Sequence, residues 1–528
     1  MFSLLKDRFD GKKILYFLSI IVVICGAFIL LSFDNNYQVY DSKLVLDNAI
    51  IQINDRNELA SKYRNIQNIP ARLFEPPNLY ENGTTKEFWV LDVENNIYNH
   101  INAKLVYQTP HVYFWVEDDV DFKLSDLKNL VDNFEDNIYP NNRNIFGSEW
   151  LPGVDNDVHL TILYARHLGG AAGYFSAADS FMPEIDKYSN LSEMFYLSAD
   201  YIDLGEEYAS SVLAHEFQHM IHWNVDRNES SWINEGLSEL AVDLNGFKTG
   251  GFSNIFSANP NIQLNFWPGN DQGDSTPHYG ASYLFVKYLY ERFGEEFIQD
   301  LIAQPEDGLR GLDATLSEKL LKENEAPTTS ENIFQDWTVA NILQNDFPEG
   351  GIYQYGNNDV PKFLPSKSIV CNSPPETFSV NQFGTTYFEF ICDADYEITI
   401  NWQNSVQLHT EDAFSGKFSY WSNSGDESAM RLRKDFDLSG VTGHTELTYK
   451  TWFDIEQDYD YLYVNVTRDG EHWDNLETPG CTWGDPTGSN LGCGYNGKSH
   501  GWLTQTIDLD SFIGEKIVIE FEYITDAA

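Results

Sequence analysis

The stretch SVLAHEFQHMIHWNVDRNESSWINEGLSE, Ser211–Glu239, carries the motif that decides the fold of the central part of this chain. Its residues follow a helical pattern, so His215 and His219, four residues apart, leave the same face of one helix and can bind one metal ion. Glu216 lies beside them, where a carboxylate can accept a proton from a water molecule. The pattern predicts a zinc hydrolase site on a helix of an α/β domain.

The third zinc ligand must come from outside the segment HEFQH, residues 215–219, because a catalytic zinc takes three protein ligands and keeps one position for water. His222 lies on the His215 face, but seven helical residues place them about 10 Å apart along the axis, too far for bonds of about 2 Å to one ion. We therefore expect His222 to be a core or surface histidine. Glu235 and Glu239 lie four apart on the next predicted helix. One can bind zinc while the other supports a ligand, and spacing alone does not order them.

HEFQH followed by NEGLSE resembles the gluzincin metallopeptidases, the thermolysin-like and hyicolysin-like group. The likeness covers roughly residues 157–346, where FYLSADY, WINEGLSE, HYGASYLF and DWTVAN occur in the expected order. It departs from thermolysin in a shorter spacing between His219 and Glu235. The resemblance implies that Glu235 is the third zinc ligand and that Glu239 orients the first histidine by accepting its other ring proton.

The residue that stabilises the oxyanion comes from a later helix start in many gluzincins. Here the resemblance points to His278 or Tyr279 in HYGAS, with Tyr279 preferred. The alternative is that both residues only pack against this helix or cap it.

These residues together predict a zinc-dependent extracellular endopeptidase that hydrolyses peptide bonds with a metal-activated water and Glu216 as general base. The alternative is an adhesion or glycan-binding surface protein with an inactive zincin domain, which an intact set of zinc-site residues disfavours. Aminopeptidase action is a second alternative, although no GxMEN-like segment precedes the zinc helix to hold a free amine.

The composition is strongly acidic. The 528 residues include 33 Lys and Arg against 81 Asp and Glu, for a formal net charge of −48. So few cations cannot neutralise a row of phosphates, which argues against nucleic-acid binding. A solvated acidic surface is one explanation, and bound Ca²⁺ is another. A dense carboxylate run forms the candidate calcium site, with a solvated strand face as the alternative: Asp454, Glu456, Asp458 and Asp460.

The N-terminal region predicts a membrane anchor. Residues 14–33 form an apolar run long enough to cross a bilayer, and the basic residues before it predict that 1–13 form a cytoplasmic tail. Residues 34–83, polar and with several prolines, are typical of a stalk or a propeptide. We therefore expect a cell-surface protein with its catalytic part outside, or a secreted one if the segment is cleaved.

The predicted fold is multidomain, with an α/β zincin-type catalytic domain at 84–347, followed by all-β domains. Its sheet is expected to include residues 193–201 as a strand, with an edge position over the cleft as one of two equal alternatives. Short alternating runs then predict a small β domain at 348–410 and a jelly-roll or sandwich domain at 411–528, which we expect to be truncated at its C-terminus. The last hundred residues resemble the jelly-roll domain of immune inhibitor A-type secreted proteases. A glycan, a protein substrate or the catalytic domain are its candidate ligands.

Four cysteines follow the predicted anchor, at positions suited to disulfides in an exported protein. Two local bridges, Cys371–Cys392 and Cys481–Cys493, are the simplest of three pairings.

Overall fold

The structure is a computed structural model that describes residues 45–526, except 47, 78, 270–271, 324–326, 345–350, 357–359, 372 and 404–410. The predicted tail and membrane span, residues 1–33, lie outside the described residues. Among the helices that are described, none is long and apolar enough to cross a membrane. The chain divides into two units, Met1–Ile50 and Ile51–Ala528, and all elements given below belong to the second.

A mixed six-stranded sheet organises the N-terminal half of this unit, in the order β1-β2-β3-β4-β6-β5. The first three strands are antiparallel, β3, β4 and β6 run parallel, and β5 is antiparallel to β6. The parallel strands are almost wholly apolar and buried, as expected for strands covered on both faces. The strands are β1 (Thr85–Asp92), β2 (Ile97–Gln108), β3 (Val112–Glu117), β4 (Leu160–Ala165), β5 (Gly173–Phe175) and β6 (Met194–Ser198).

Residues 193–201 do not form the edge strand of the sheet, which was one of the two alternatives for this segment. This segment forms β6, which lies between β4 and β5, and the edge strand is β5 from the preceding Gly-rich stretch. A Cβ on Gly173 would lie 2.6 Å from Tyr196 O and from Val212 Cγ1, so only glycine allows the chain to pair this closely with β6. With three residues and no alternation, β5 gives little strand signal in the sequence.

Helices build the large apolar core together with one face of this sheet. Phe217 of the central helix α4 packs against Phe134 and Tyr139, with ring centroids 5.3 and 5.4 Å apart. A π-helical turn, Phe134–Ile138, joins α2 to α3. The helices are α1 (Arg56–Arg64), α2 (Leu124–Asn133), α3 (Tyr139–Phe146), α4 (Glu207–Val225), α5 (Ser231–Leu244), α6 (Phe252–Ala258), α7 (Thr276–Phe293), α8 (Glu295–Ile302), α9 (Gly308–Glu323) and α10 (Ser330–Leu343).

The C-terminal region is all β among the described residues, apart from one 3₁₀ turn, Asp510–Phe512. Two strands pair in parallel, β7 (Lys367–Val370) and β8 (Phe388–Ile391). The remaining strands form a two-stranded sheet, β10 with β14, and a five-stranded sheet in the order β12-β11-β15-β9, with β13 beside β11. They are β9 (Ala429–Asp437), β10 (Glu446–Thr451), β11 (Tyr461–Thr467), β12 (Trp473–Asn475), β13 (Gly494–Tyr495), β14 (Leu503–Asp508) and β15 (Lys516–Ile524).

Both predicted disulfides are confirmed. Cys371 bonds Cys392 with a Cα–Cα distance of 5.1 Å, and Cys481 bonds Cys493 with a Cα–Cα distance of 5.2 Å. The first bridge closes the end of the β7–β8 pair, and the second closes the loop that leads into β13.

Part of the predicted stalk or propeptide packs against the C-terminal β domain. Asn54 N–H donates to Glu427 O at 2.7 Å, and Ala429 N–H donates to Gln52 O at 2.9 Å, so this segment extends the sheet beside the start of β9. Helix α1 follows directly and begins at the N-cap Asp55, whose side chain accepts hydrogen bonds from the backbone amides of Asn57 and Glu58.

Candidate metal centre

Three side chains from α4 and α5 converge on one point. The distance between His215 Nε2 and His219 Nε2 is 3.0 Å, and Glu235 Oε2 lies 3.3 and 3.6 Å from these two nitrogens. Ligands at about 2.0–2.1 Å from a tetrahedral zinc are about 3.3 Å from one another, so this spacing fits a zinc ion. The predicted ligand residues are thus brought together by the fold.

The environment of Glu235 also fits a cation. Its Oε2 is buried, and no well-aligned hydrogen bond reaches it from the residues described, although two imidazole nitrogens lie within 3.6 Å. The next residue, Gly236, allows α5 to approach α7 closely, because a Cβ there would lie 2.8 Å from Ser282 O. A buried carboxylate oxygen without a donor is costly unless a cation binds it.

The outer nitrogens of the two histidines face hydrogen-bond acceptors. Glu239 Oε1 lies 3.2 Å from His215 Nδ1, the position predicted for the orienting carboxylate. Asn234 Oδ1 and Ser238 Oγ each lie 3.1 Å from His219 Nδ1. Protons held on the Nδ1 atoms leave the Nε2 lone pairs facing the metal position.

The sequence interpretation missed Asn234 and Ser238. The signal was present, because each directly precedes one of the two glutamates singled out on this helix. Ser238 is fully buried and also donates to Gln218 Oε1 on α4, so its hydroxyl ties the two helices together behind the site.

The Glu216 side chain extends from α4 to the edge strand β5. The backbone amide of Phe175 in β5 donates to its carboxylate, and the side chain is buried. Burial raises the pKa of Glu216 above its ordinary value, while the two neighbouring histidines, His215 and His219, oppose that rise. The carboxylate is therefore held in place beside the candidate metal ligands and next to the edge strand β5.

The structure separates the two oxyanion candidates. The Tyr279 ring lies 6.3 Å from the His215 ring, and burial, followed by the site's carboxylates, raises the pKa of Tyr279 well above its ordinary value. The phenol therefore stays protonated and can donate a hydrogen bond. His278 instead packs against Phe266 and Trp267, with ring centroids 6.1 and 6.2 Å away. Only Tyr279 of the pair borders the centre.

His222 is buried, 1% exposed, and is not one of the converging ligands. Its Nδ1 lies 3.0 Å from Asn234 Oδ1, while its Nε2 is buried without a partner among the described residues. Burial lowers the pKa of His222 to about 4, so the ring is neutral.

The predicted calcium residues are only partly grouped. Glu456 and Asp460 lie with Asp526, ligand atoms within 4.8 Å of one another, whereas Asp454 lies 3.4 Å from the Lys498 ammonium. Asp458 is not part of that group, and its carboxylate accepts a hydrogen bond from Gln457 Nε2. Asp526 enters because β15, which it follows, pairs with β11, which begins directly after Asp460. Calcium binding here stays a prediction.

Comparison with known proteins places the C-terminal region in a family. Residues 399–528 match the family model described as Immune inhibitor A-like, MAM domain. Pre-pro-metalloprotease PrtV of Vibrio cholerae is 34% identical over 111 residues, covering 21% of this chain and 11% of PrtV. Immune inhibitor A of Bacillus thuringiensis subsp. alesti is 35% identical over 113 residues, covering 21% of this chain and 15% of that protein.

A third relative reaches further. Neutral metalloprotease ShpI of Staphylococcus hyicus is 25% identical over 248 residues, covering 42% of this chain and 55% of ShpI. The 42% of this chain that matches ShpI is a larger part than residues 399–528, so the similarity to ShpI also includes residues before 399. The chain thus spans between 11% and 55% of the length of these three relatives. The predicted resemblance to immune inhibitor A-type proteins is confirmed, and the C-terminal region carries an immune inhibitor A-like MAM domain.

Proposed function

We propose that this chain is a zinc-dependent endopeptidase of the gluzincin type that hydrolyses protein or peptide substrates outside the cell. The observation that carries the proposal is the convergence of two imidazole nitrogens and one carboxylate oxygen at tetrahedral spacing, with Glu216 beside them. Two of the three relatives are metalloproteases by name, which supports the same activity.

His215, His219 and Glu235 would hold the zinc ion. When bound, zinc would supply a Lewis acid that lowers the pKa of a water molecule to about 7. Glu216, fixed by the Phe175 amide, is placed to accept a proton from the attacking water and to donate it to the leaving amine. The Tyr279 hydroxyl donates a hydrogen bond to the oxygen on which negative charge develops.

The edge strand supports endopeptidase action in particular. One side of β5 pairs with β6, and it ends the sheet in the described part of the chain. An extended peptide can add to its other side through main-chain hydrogen bonds, which places the peptide next to Glu216. This mode of binding needs no free N-terminus, so it favours cleavage within a chain over removal of terminal residues.

Two disulfides support a location outside the reducing cytosol. We propose that residues 14–33 anchor the chain with its catalytic part outside, after the tail 1–13, or that cleavage there releases it. We assign 84–347 to the metallopeptidase domain, 348–410 to a small β domain and 411–528 to an accessory domain that binds a glycan or a protein.

A single variant tests the mechanism. Glu216→Gln should keep about one zinc per chain and lower the rate of casein cleavage by roughly 10²–10⁴-fold, the usual contribution of a general base. Glu207→Gln, an exposed glutamate on the same helix, is the matched control and should cleave at the wild-type rate. Full activity of Glu216→Gln would overturn the mechanism. A wild-type chain that binds no zinc would favour an inactive adhesion protein.

A further inference from the structure

A buried histidine behind the metal centre has no part in the mechanism above. His222 lies one turn after His219 on α4, and its Nδ1 is 3.0 Å from Asn234 Oδ1. The same amide oxygen is 3.1 Å from His219 Nδ1. One side-chain amide of α5 therefore faces two imidazole nitrogens of α4.

The orientation of this amide matters for metal binding. His219 faces the metal position with Nε2, so its ring proton must be on Nδ1 and needs an acceptor there. An asparagine amide has an oxygen at one end and an NH₂ group at the other. If Asn234 turned over, its NH₂ would face His219 Nδ1 and favour the tautomer with a proton on Nε2, which cannot bind a metal.

His222 can prevent that reversal because its own tautomer is constrained. Its Nε2 is buried and finds no partner among the residues that the structure describes, so a proton there would be an unpaired buried donor. A proton on Nδ1 instead donates to Asn234 Oδ1. With the amide reversed, the N–H of His222 would face an N–H of Asn234, and that contact is repulsive.

We propose that His222 is a positioning residue, which acts through Asn234 to keep the proton of His219 on Nδ1 and its Nε2 lone pair on the metal. The proposal rests on the proposed zinc site. Ser238 acts in parallel: its hydroxyl proton goes to Gln218, so its oxygen also accepts from His219 Nδ1. His222 therefore biases the tautomer without being the only group that sets it.

The first experiment measures the zinc Kd of the full-length chain by competition with a chelator. His222→Phe keeps a planar aromatic ring but removes the donor, and the Kd should rise about tenfold, the lower end for residues that support a metal ligand. His222→Asn places an amide N–H where Nδ1 was, and its Kd should stay within threefold of wild type. Equal Kd values for wild type and His222→Phe would overturn the proposal.

A second background separates positioning from packing. Asn234→Asp offers an oxygen to both histidines in either orientation, so His222→Phe should leave the Kd unchanged in that background. A tenfold loss that persists there means that His222 acts by packing, which overturns the proposal. The wild-type zinc content distinguishes the two failures, because a wild-type chain without zinc refutes the proposed function.

If His222→Phe does not fold, the tautomer can be observed directly. Nitrogen NMR of the wild-type chain labelled with ¹⁵N in histidine should show the His222 proton on Nδ1, with His222→Asn identifying the signal. A proton on Nε2 would overturn the proposal.

Discussion

Lys62 of α1 is a buried cation that joins the N-terminal segment to the C-terminal β domain. Its side chain is 6% exposed, and its ammonium lies 2.5 Å from Glu520 Oε1 and also pairs with Glu522. Both glutamate side chains are 0% exposed on β15. Arg431 and Arg433 of β9 pair with the same two carboxylates.

Lys62→Met should destabilise this contact by about 3 kcal/mol. Methionine keeps the length and apolar stem of lysine but removes the charge, and loss of one partner from a buried ion pair costs about 3–5 kcal/mol. We expect the lower end because Arg431 and Arg433 still oppose the two carboxylates. Lys434→Met, an exposed lysine of the same domain, is the control and should change stability by at most about 0.5 kcal/mol.

Hydrogen exchange of the backbone amides is the suitable assay, since a multidomain chain does not unfold in one step. A loss of about 3 kcal/mol corresponds to exchange roughly 100-fold faster in peptides from α1 and β15. Peptides from α4 and α5 should keep their wild-type rates. An increase below about threefold in β15, or one equal to that of Lys434→Met, would refute the reasoning that Lys62 neutralises buried charge there.

Two further predictions concern the proposed catalytic domain. Tyr279→Phe should lower kcat for peptide cleavage about 100-fold with little change in KM, as for loss of one oxyanion donor. His278→Gln should change kcat less than threefold, and a larger loss for His278→Gln than for Tyr279→Phe would contradict the assignment of Tyr279 as the oxyanion donor. Burial raises the pKa of Glu193 to about 8, so the folded state binds its proton more tightly than the unfolded state and loses stability as pH rises from about 4.5 to 8. Glu193→Gln removes this penalty, so hydrogen exchange of peptides from β6 should show the stability of the variant relative to wild type rising on the order of 1 kcal/mol per pH unit in that window; a difference independent of pH would contradict the shift.

The local part of the metal centre could be predicted from sequence, because it depends on the geometry of single helices. His215 and His219 are four residues apart on α4, and the helix rise alone excludes His222 as a ligand of the same ion. Glu235 and Glu239 share a face of α5 for the same reason. The order of those two glutamates came from the family resemblance, since nothing in their spacing distinguishes them.

Contacts between secondary-structure elements could not be predicted from the geometry of single helices. β5 is too short to show alternation, so the sequence does not predict the edge strand beside Glu216. Asp526 is distant in sequence from Glu456 and Asp460, and only the pairing of β11 with β15 brings them together. Asn234 was overlooked because an uncharged amide suggests no metal chemistry by itself, although its oxygen lies 3.1 Å from His219 Nδ1.

Lys62 shows the same limit for domain organisation. A lysine in a polar segment is ordinarily a solvated residue, and that expectation underlies the prediction of a stalk or propeptide. Its partners are buried glutamates on a strand whose apolar alternation gives no sign of a distant cation. Lys62 is itself buried against both carboxylates, which the two arginines of β9 also contact, so this shared ion-pair cluster argues that α1 belongs with the domain. A propeptide cut C-terminal to α1 should therefore leave the helix bound to the β domain rather than release it.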